Sequence, residues 1–166
     1  MPHILFVCTA NICRSPVGEG LLRHLWQQRH VAGWSVSSAG TWAVTGQPAS
    51  PYSVQVMAER GIDISRHRSR KLDDQLLQQA SLVLCMEWRH VATVQAEFPA
   101  HAAKIFTLGQ MSGAKGDVAD PYGSPLANYR KMAAEVAALL DAGYGRMMAL
   151  AGENTAGGRA EITTLQ

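Results

Sequence analysis

The sequence predicts a single-domain α/β fold: a four-stranded parallel sheet flanked by helices on both faces, with an anion-binding loop after the first strand. Short apolar runs alternate with amphipathic segments, which indicates strands joined by right-handed helical crossovers. The 166 residues are enough for one domain with its own core. The first apolar run ends in a cysteine-containing loop, and open α/β folds bind ligands at this edge of the sheet.

The elements in the first half of the chain follow from the spacing of apolar residues. Continuous or alternating apolar runs predict strands, and apolar residues three and four apart predict helices. Glycine ends helices and aspartate caps them. In order, these patterns predict a strand at 3–7, a helix at 15–30, a strand at 34–37, a helix at 53–60 ended by Gly61, an irregular basic segment at 62–72 and a short helix at 73–79 capped by Asp73 or Asp74.

The second half continues the alternation of strands and helices. It predicts a strand at 82–86, a helix at 88–97 ended by Pro99, a strand at 104–108, a glycine- and aspartate-rich loop at 109–124 and an amphipathic helix at 126–140. From about Gly152 the chain is rich in Gly, Thr and Ala and has no periodicity, which is typical of disorder. We therefore expect a domain at residues 1–150 and a flexible C-terminal tail at 151–166.

The composition argues against several classes of protein. A net charge of +2 is too small to indicate a nucleic-acid partner, and no apolar stretch reaches the length of a membrane span. The N-terminus lacks the features of a signal peptide, and three cysteines do not resemble a disulfide framework. We expect a reducing, cytoplasmic location. No cluster has metal-ligand spacing, so we expect neither a metal nor a cofactor.

The segment after the first strand combines what cysteine-based phosphate chemistry requires. The strand would bring Cys8 to the carboxyl edge of the sheet, where the positive end of the next helix would bind an anion and stabilise a thiolate. Arg14 adds planar donors that fit phosphate oxygens. We predict Cys8 as nucleophile and Arg14 as phosphate clamp; the alternative is a buried structural cysteine. The loop around the anion would consist of Thr9, Ala10, Asn11, Ile12 and Cys13.

Asp120 is the candidate general acid, because the leaving oxygen of a phosphate monoester needs a proton. Pro121 biases Asp120 toward an extended backbone, which would aim its carboxyl group into the site. The alternative is that Asp-Pro forms only a turn. Tyr122 would then form a wall of the cleft.

Two polar residues of the loop allow two interpretations each. Asn11 either only tolerates a left-handed backbone, or its side chain also keeps the loop amides pointing inward. Ser15 either caps the following helix or donates its hydroxyl to the Cys8 sulfur.

The chain resembles the low-molecular-weight protein tyrosine phosphatases, in particular the bacterial members. The resemblance rests on Cys-Thr-Ala-Asn-Ile-Cys-Arg-Ser-Pro at 8–16, Ser-Ala-Gly-Thr at 38–41, Gly-Ile-Asp-x-Ser-x-His-x-Ser-Arg at 61–70 and Asp-Pro-Tyr at 120–122. It implies that Asp120 acts as acid and then as base, and that Trp42 lines the substrate cleft opposite Tyr122. It also implies a hydrogen-bond network around the loop, formed by Asn11, Ser15, Ser38 and His67.

This resemblance implies hydrolysis of phosphotyrosine in proteins through a cysteinyl-phosphate intermediate. Phosphate and other oxyanions would be inhibitors, and a bacterial tyrosine kinase is a candidate partner. Three alternatives stay open. Arsenate reduction on the same scaffold needs a thiol relay, but Cys85 lies in a predicted buried strand. A protein-arginine phosphatase would have Thr in place of Ile12. The third is a non-catalytic phosphate-binding module.

Cys13 leads to a further prediction about redox control. An oxidised Cys8 would form a sulfenic acid, which Cys13 would trap as a disulfide, so that activity is lost reversibly. The alternative is that Cys13 only packs beneath the loop, as free cysteines often do.

Overall fold

The computed structural model of this chain describes the backbone of residues 1–164 and the side chains of residues 1–157. In chain order the elements are β1 (His3–Cys8), α1 (Arg14–Gln28), β2 (Ser35–Gly40), α2 (Pro51–Glu59), α3 (Asp74–Gln79), β3 (Leu82–Cys85), α4 (Trp88–Glu97), a 3₁₀ helix (Pro99–Lys104), β4 (Ile105–Thr107), α5 (Leu108–Met111) and α6 (Leu126–Thr164).

The four strands form one parallel sheet in the order β2-β1-β3-β4. The chain leaves β1 toward β2 on one side and later returns to β3 on the other. The carboxyl end of β1 is therefore a topological switch point, where open α/β sheets bind their ligands. The predicted sheet is confirmed.

Helices cover both faces of the sheet, as predicted. Ile4 and Phe6 of β1 pack into an apolar cluster with residues of α1, α2 and α6. Leu5 and Val7 point to the opposite face, into a cluster with residues of α3 and α4. Because side chains alternate along a strand, β1 is buried on both sides. It gives the loop after β1 a rigid support.

Two short motifs explain local differences from the predicted elements. Asp73 is the cap of α3, since its carboxylate accepts a hydrogen bond from the N–H of Leu76 at 2.8 Å. The predicted loop at 109–124 begins with helix α5. There Thr107 and Gln110 form a reciprocal capping box, with bonds of 2.8 and 3.2 Å.

The last helix is much longer than predicted. It was expected to end at Leu140 and continues to Thr164. The helix therefore continues past Gly152, where the sequence has no periodicity. One tertiary contact in this part joins the hydroxyl groups of Thr155 and Ser81 at 2.7 Å.

The proposed division of the chain stays a prediction. It places a domain at 1–150 and a flexible tail at 151–166, of which residues 165 and 166 lie outside the described residues. Within the described helices, none is long and apolar enough to cross a membrane.

Candidate active site

The loop between β1 and α1 holds the candidate nucleophile. Asn11 adopts a left-handed backbone with φ of 57°, a conformation that Asn tolerates. Gly40 at the end of β2 allows the close approach of this loop, because a Cβ there would lie 2.4 Å from the carbonyl oxygen of Thr9. Within the described residues, no side chain caps the N-terminus of α1. Its first N–H groups are thus left for an anion.

Cys8 is almost fully buried and its sulfur lies 3.0 Å from the hydroxyl oxygen of Ser15. Ser15 also accepts a hydrogen bond from the amide of Asn11 at 2.8 Å. With that lone pair engaged, the hydroxyl hydrogen of Ser15 can point to the sulfur and stabilise a thiolate. The cap of α1 is Cys13, so the interpretation of Ser15 as a helix cap is wrong.

Asn11 is the centre of the predicted network. Its buried side chain donates to the hydroxyl oxygens of Ser15 at 2.8 Å and Ser38 at 2.9 Å. Its side-chain oxygen accepts from the N–H of Arg70 at 3.0 Å. The ring of His67 donates from Nε2 to the carbonyl oxygen of Asn11 at 2.7 Å. Both interpretations of Asn11 are therefore compatible: the backbone is left-handed, and the side chain fixes the loop.

His67 holds this network as a neutral donor. Burial lowers the pKa of His67, although the hydrogen bond to the Asn11 carbonyl opposes this shift. On the other side of the network, the hydroxyl of Ser38 donates to Glu19 at 2.6 Å. Glu19 was not among the predicted site residues. The only sequence signal for its role was its position near the apolar face of the predicted helix at 15–30.

Arg14 is only 1% exposed, yet one of its nitrogens is left without a partner. Nη1 donates to Glu87 and to the carbonyl oxygen of Val118, the latter at 2.8 Å. Nη2 lies 3.5 Å from a carboxylate oxygen of Asp120. Nε is buried and has no hydrogen-bond acceptor among the described residues. A buried unpaired donor is costly, and an anion bound in the loop would supply the acceptor.

Glu87 and His90 at the start of α4 support the loop from the side of β3, and neither was among the predicted site residues. Burial would raise the pKa of Glu87, but hydrogen bonds from Arg89 and Arg14 outweigh it and lower this pKa to about 2. The ring nitrogen Nδ1 of His90 accepts from the N–H of Glu87 at 3.2 Å, so Nε2 carries the proton and donates to the hydroxyl of Thr9 at 2.9 Å. Burial and the nearby Arg14 lower the pKa of His90 to about 4.

One sequence signal bears on Glu87: it directly follows the predicted strand at 82–86. The structure adds that β3 lies beside β1 in the sheet. Carboxyl ends of neighbouring parallel strands meet at one edge, which places Glu87 beside the loop. His90 stands three residues after Glu87, but nothing in the sequence distinguishes it from a structural histidine.

A pocket of about 280 Å³ brings the three predicted catalytic side chains together. Its lining comprises Cys8, Thr9, Ala10, Ile12, Cys13, Arg14, Asp120 and Tyr122. Asp120 stands at the mouth, with a side chain 42% exposed. One of its oxygens accepts from the N–H of Tyr122 at 3.1 Å. This Asx turn aims the carboxyl group, as the predicted Asp-Pro geometry required.

Trp42 takes a different position from Tyr122. Its side chain is 82% exposed and does not line this pocket. Its backbone N–H donates to the carbonyl of Thr9 at 2.9 Å, so Trp42 is attached to the edge of the active-site loop. A contact of Trp42 with substrate stays a prediction.

The two other cysteines are both buried. The sulfur of Cys13 lies 3.5 Å from the hydroxyl of Ser50 and 3.6 Å from that of Tyr129, and burial raises the pKa of Cys13. Cys85 pairs with Val7 in the sheet, and complete burial raises its pKa strongly. The fully buried thiol of Cys85 is unreactive, which argues against the thiol relay of an arsenate reductase.

Known proteins share this arrangement of loop and sheet. The sequence model of the low molecular weight phosphotyrosine protein phosphatases matches residues 3–148. The chain belongs to this family. The predicted resemblance and the enzyme class are thereby confirmed: the relatives are named as protein phosphatases, and a cysteinyl-phosphate mechanism is typical of the family.

The similar proteins include both tyrosine and arginine phosphatases. A probable low molecular weight protein-tyrosine-phosphatase, EpsP of Ralstonia nicotianae, is 40% identical over 89% of this chain and 97% of its own length. A protein-arginine-phosphatase of Geobacillus stearothermophilus is 41% identical over 85% of this chain and 93% of its length.

Solved structures give the same picture. The low molecular weight protein tyrosine phosphatase of T. tengcongensis has a TM-score of 0.84 and 41% identity, covering 88% of this chain and 99% of that one. The Vibrio vulnificus protein Wzb, solved in complex with benzylphosphonate, has a TM-score of 0.78 and 32% identity, covering 85% of this chain and 95% of that one. Relatives thus bind oxyanions. Among the residues that the structure describes, no group of His, Cys, Asp and Glu has the geometry of a metal site.

Proposed function

We propose that this chain hydrolyses phosphotyrosine in proteins, with Cys8 as nucleophile, Arg14 as phosphate clamp and Asp120 as general acid and base. The observation that carries the proposal is that these three side chains line one pocket of about 280 Å³. A non-catalytic phosphate-binding module would not need a carboxyl group at the mouth of that pocket.

In the first step the Cys8 thiolate attacks phosphorus from the base of the pocket. The S–P bond forms as the P–O bond to the tyrosine ring breaks, and Asp120 donates its proton to the leaving oxygen. Arg14 and the free N–H groups at the start of α1 stabilise the charge on the three remaining oxygens. Such preorganised donors supply the main electrostatic stabilisation of a transferred phosphoryl group.

In the second step Asp120, now a carboxylate, accepts a proton from water as that water attacks the cysteinyl phosphate. The S–P bond breaks and phosphate leaves. The hydroxyl of Ser15, 3.0 Å from the sulfur, stabilises the departing thiolate of Cys8. Two protonation states of one carboxyl group therefore serve both steps.

Three features favour an aryl phosphate as substrate. Cys8 is 2% exposed, so the phosphorus must reach the base of the pocket, and tyrosine is longer than serine. Ile12 and Tyr122 provide apolar lining for a phenyl ring. The related Wzb binds benzylphosphonate, which carries an aromatic ring.

A protein-arginine phosphatase is the second candidate, because a relative with that activity is 41% identical. This chain differs from the arginine phosphatases at Ile12, where the resemblance predicts Thr for that activity. We expect a strong preference for phosphotyrosine peptides over matched phosphoserine and phosphoarginine peptides in kcat/KM. Equal rates on phosphotyrosine and phosphoserine would contradict the proposal. An Ile12→Thr variant should gain activity on phosphoarginine at the expense of phosphotyrosine.

The role of the exposed aromatic residues is tested with a matched pair in one loop. Trp42→Ala should raise KM for a phosphotyrosine peptide, whereas Val44→Ala should not, although Val44 is also exposed at 69%. Loss of a stacked aromatic contact would weaken binding by about 0.5–1.5 kcal/mol, or roughly 2- to 13-fold. An unchanged KM would remove Trp42 from the cleft.

A bacterial tyrosine kinase is the partner that we propose, in a reducing, cytoplasmic setting where a catalytic thiolate persists. Similarity to EpsP, named as a probable protein-tyrosine-phosphatase, supports a tyrosine-phosphorylated protein as the class of partner. A pull-down with a Cys8→Ser variant, which keeps the phosphate-binding loop but lacks the thiolate, would retain the phosphorylated partner. Release of the bound partner by free phosphate would show that its phosphate group occupies the active-site pocket.

A further inference from the structure

A second pocket lies between α1 and the basic segment 61–70. Its volume is about 370 Å³, which is within the range of small-molecule sites. It shares no lining residue with the active-site pocket. Its charged lining is four arginines and two carboxylates: Arg23, Arg66, Arg68, Arg70, Glu19 and Asp63. None of these arginines has a part in the reaction described above.

Both carboxylates of this pocket already have donors. Glu19 accepts a hydrogen bond from Ser38 at 2.6 Å and forms an ion pair with Arg23. Asp63 accepts from the N–H of Ser65 at 2.8 Å. Four arginines and two carboxylates give the lining a net positive charge.

The arginines keep donors for an anion. Arg70 uses Nε for the carbonyl of Ser38 at 2.9 Å, and Arg68 uses Nη1 for the carbonyl of His67 at 2.7 Å. These bonds orient both guanidinium groups. Within the part of the chain that the structure describes, their remaining N–H groups have no acceptor. Arg66 is exposed beside them. Oriented guanidinium groups with free donors match phosphate oxygens.

The apolar lining narrows the class of ligand. It consists of Pro16 and Ile64, and no Phe, Tyr or Trp lines the pocket. The rest of the lining is polar or charged, so a ligand would be held mainly by charge-assisted hydrogen bonds. We propose that this pocket is a regulatory site for a small anion that carries at least two phosphate groups.

An anion in this pocket would act on the active-site loop through direct contacts. Glu19, Ser38, His67 and Arg70 line the pocket, and all except Glu19 bond directly to Asn11. A bound polyphosphate competes with Glu19 for Arg23. Release of Arg23 lets Glu19 shift, and with it the hydroxyl of Ser38 that supports Asn11, so kcat falls.

Inorganic pyrophosphate is the probe, added to the full-length wild-type protein at constant ionic strength set with sodium chloride. Amide signals in two-dimensional NMR should separate into two groups. Signals of residues 9–15 report the active site, where pyrophosphate competes with substrate. Signals of residues 61–68 should saturate with their own dissociation constant, and kcat at saturating nitrophenyl phosphate should fall along that second curve.

Two double variants that remove the same charge distinguish specific binding of pyrophosphate in this pocket from general electrostatic attraction to the protein surface. Arg66→Gln combined with Arg68→Gln should raise the dissociation constant of pyrophosphate at the second site at least about tenfold. The double substitution should also abolish the fall in kcat. Arg60→Gln combined with Arg146→Gln removes the same charge from exposed positions outside the pocket and should change neither.

The possible contrary results are distinct. A single dissociation constant for both groups of signals, unchanged in the Arg66 and Arg68 variant, would overturn the site. An equal weakening in the Arg60 and Arg146 variant would show that only general charge acts. A second binding curve without a change in kcat would overturn the regulatory role. None of these results bears on phosphotyrosine hydrolysis, which is measured without pyrophosphate.

Discussion

The active-site loop and the rim of its pocket are built in opposite ways. In the loop, Asn11 and Ser15 are fully buried and Arg14 is 1% exposed, and each is held by several hydrogen bonds. At the rim, the side chain of Asp120 is 42% exposed and Tyr122 is 70% exposed, and Trp42 outside the pocket is 82% exposed. The loop is fixed by contacts from β2, from the basic segment 61–70 and from the start of α4. The rim is held by the local turn in which Asp120 accepts a hydrogen bond from the N–H of Tyr122.

This difference separates binding of phosphate from choice of substrate. Donors that are fixed before the reaction stabilise developing charge without a reorganisation cost, so the loop must be rigid. An exposed rim can change its side chains at little cost in stability, because surface substitutions usually change it by about 0.5 kcal/mol or less. We therefore expect loop variants to affect the chemistry and variants of the exposed aromatic residues to affect which substrates react. Asp120 is the rim residue whose loss affects the chemistry itself.

Replacement of the nucleophile should give the largest effect. Cys8→Ser should abolish turnover and retain phosphate binding, because a serine hydroxyl is poorly ionised while the loop remains. Arg14→Ala should damage both properties. The measurements are steady-state hydrolysis of nitrophenyl phosphate and calorimetric binding of phosphate.

The control for this experiment is Cys13→Ser, which changes a cysteine of the same loop that does not attack phosphorus. It should keep most of the activity. If Cys8→Ser kept more than a few per cent of the wild-type rate, the nucleophile would be another group.

Asp120→Ala should give the next largest effect and separates acid catalysis from binding. A positioned acid contributes about 10²- to 10⁴-fold, and the loss should shrink for leaving groups that need no proton. A series of aryl phosphates with leaving groups of different acidity measures this. The matched control is Asp117→Ala, a nearby exposed carboxylate that instead binds the N–H of Trp88. An equal loss across the series would exclude Asp120 as the acid.

The sequence was sufficient for the fold and for a set of candidate catalytic residues that share one pocket. Alternating apolar patterns are local, so the strands and most helices could be read directly. Cys8, Arg14 and Asp120 could be predicted because their chemistry depends on residue type and on a short spacing or a stiff Asp-Pro turn. Their convergence on one pocket agrees with that prediction.

Three residues that support the loop, Glu19, Glu87 and His90, could not be predicted from local sequence pattern. Glu87 and His90 reach the loop only because β3 lies beside β1, and Glu19 acts through Ser38. The extent of α6 was missed for the same reason, since its distal part is held by a contact with Ser81. Such contacts depend on tertiary packing, which leaves no periodic signal.

Oxidation provides a test within the loop itself. Cys8 and Cys13 line the same pocket, so we expect peroxide to convert Cys8 to a sulfenic acid that Cys13 captures as a disulfide, with release of water. After thiol reductant, wild type should regain activity and Cys13→Ser should not, because its Cys8 is over-oxidised. Full recovery of Cys13→Ser at the same peroxide dose would leave Cys13 a packing residue.

The smallest effect concerns the stability of the support beneath Thr9. His90 is 3% exposed, lies against Arg14, Glu87, Arg89 and Asp117, and has a pKa of about 4 in the folded state. The unfolded chain binds the proton near pH 6.5. Between pH 6.5 and 4 the unfolded state therefore carries more protons, so the free energy of unfolding decreases as pH falls through this window.

This loss should amount to about 1–3 kcal/mol for one shifted group. His90→Gln retains a side-chain amide that can bond to Thr9 but does not titrate, so its unfolding free energy should depend less on pH in this window. Thr9→Val is the control: it removes the hydrogen bond, keeps the histidine and should keep the wild-type slope. Urea unfolding at half-unit pH steps measures all three proteins. An identical slope for wild type and His90→Gln would mean that another group controls the acid sensitivity, and that the loop does not depend on a neutral His90.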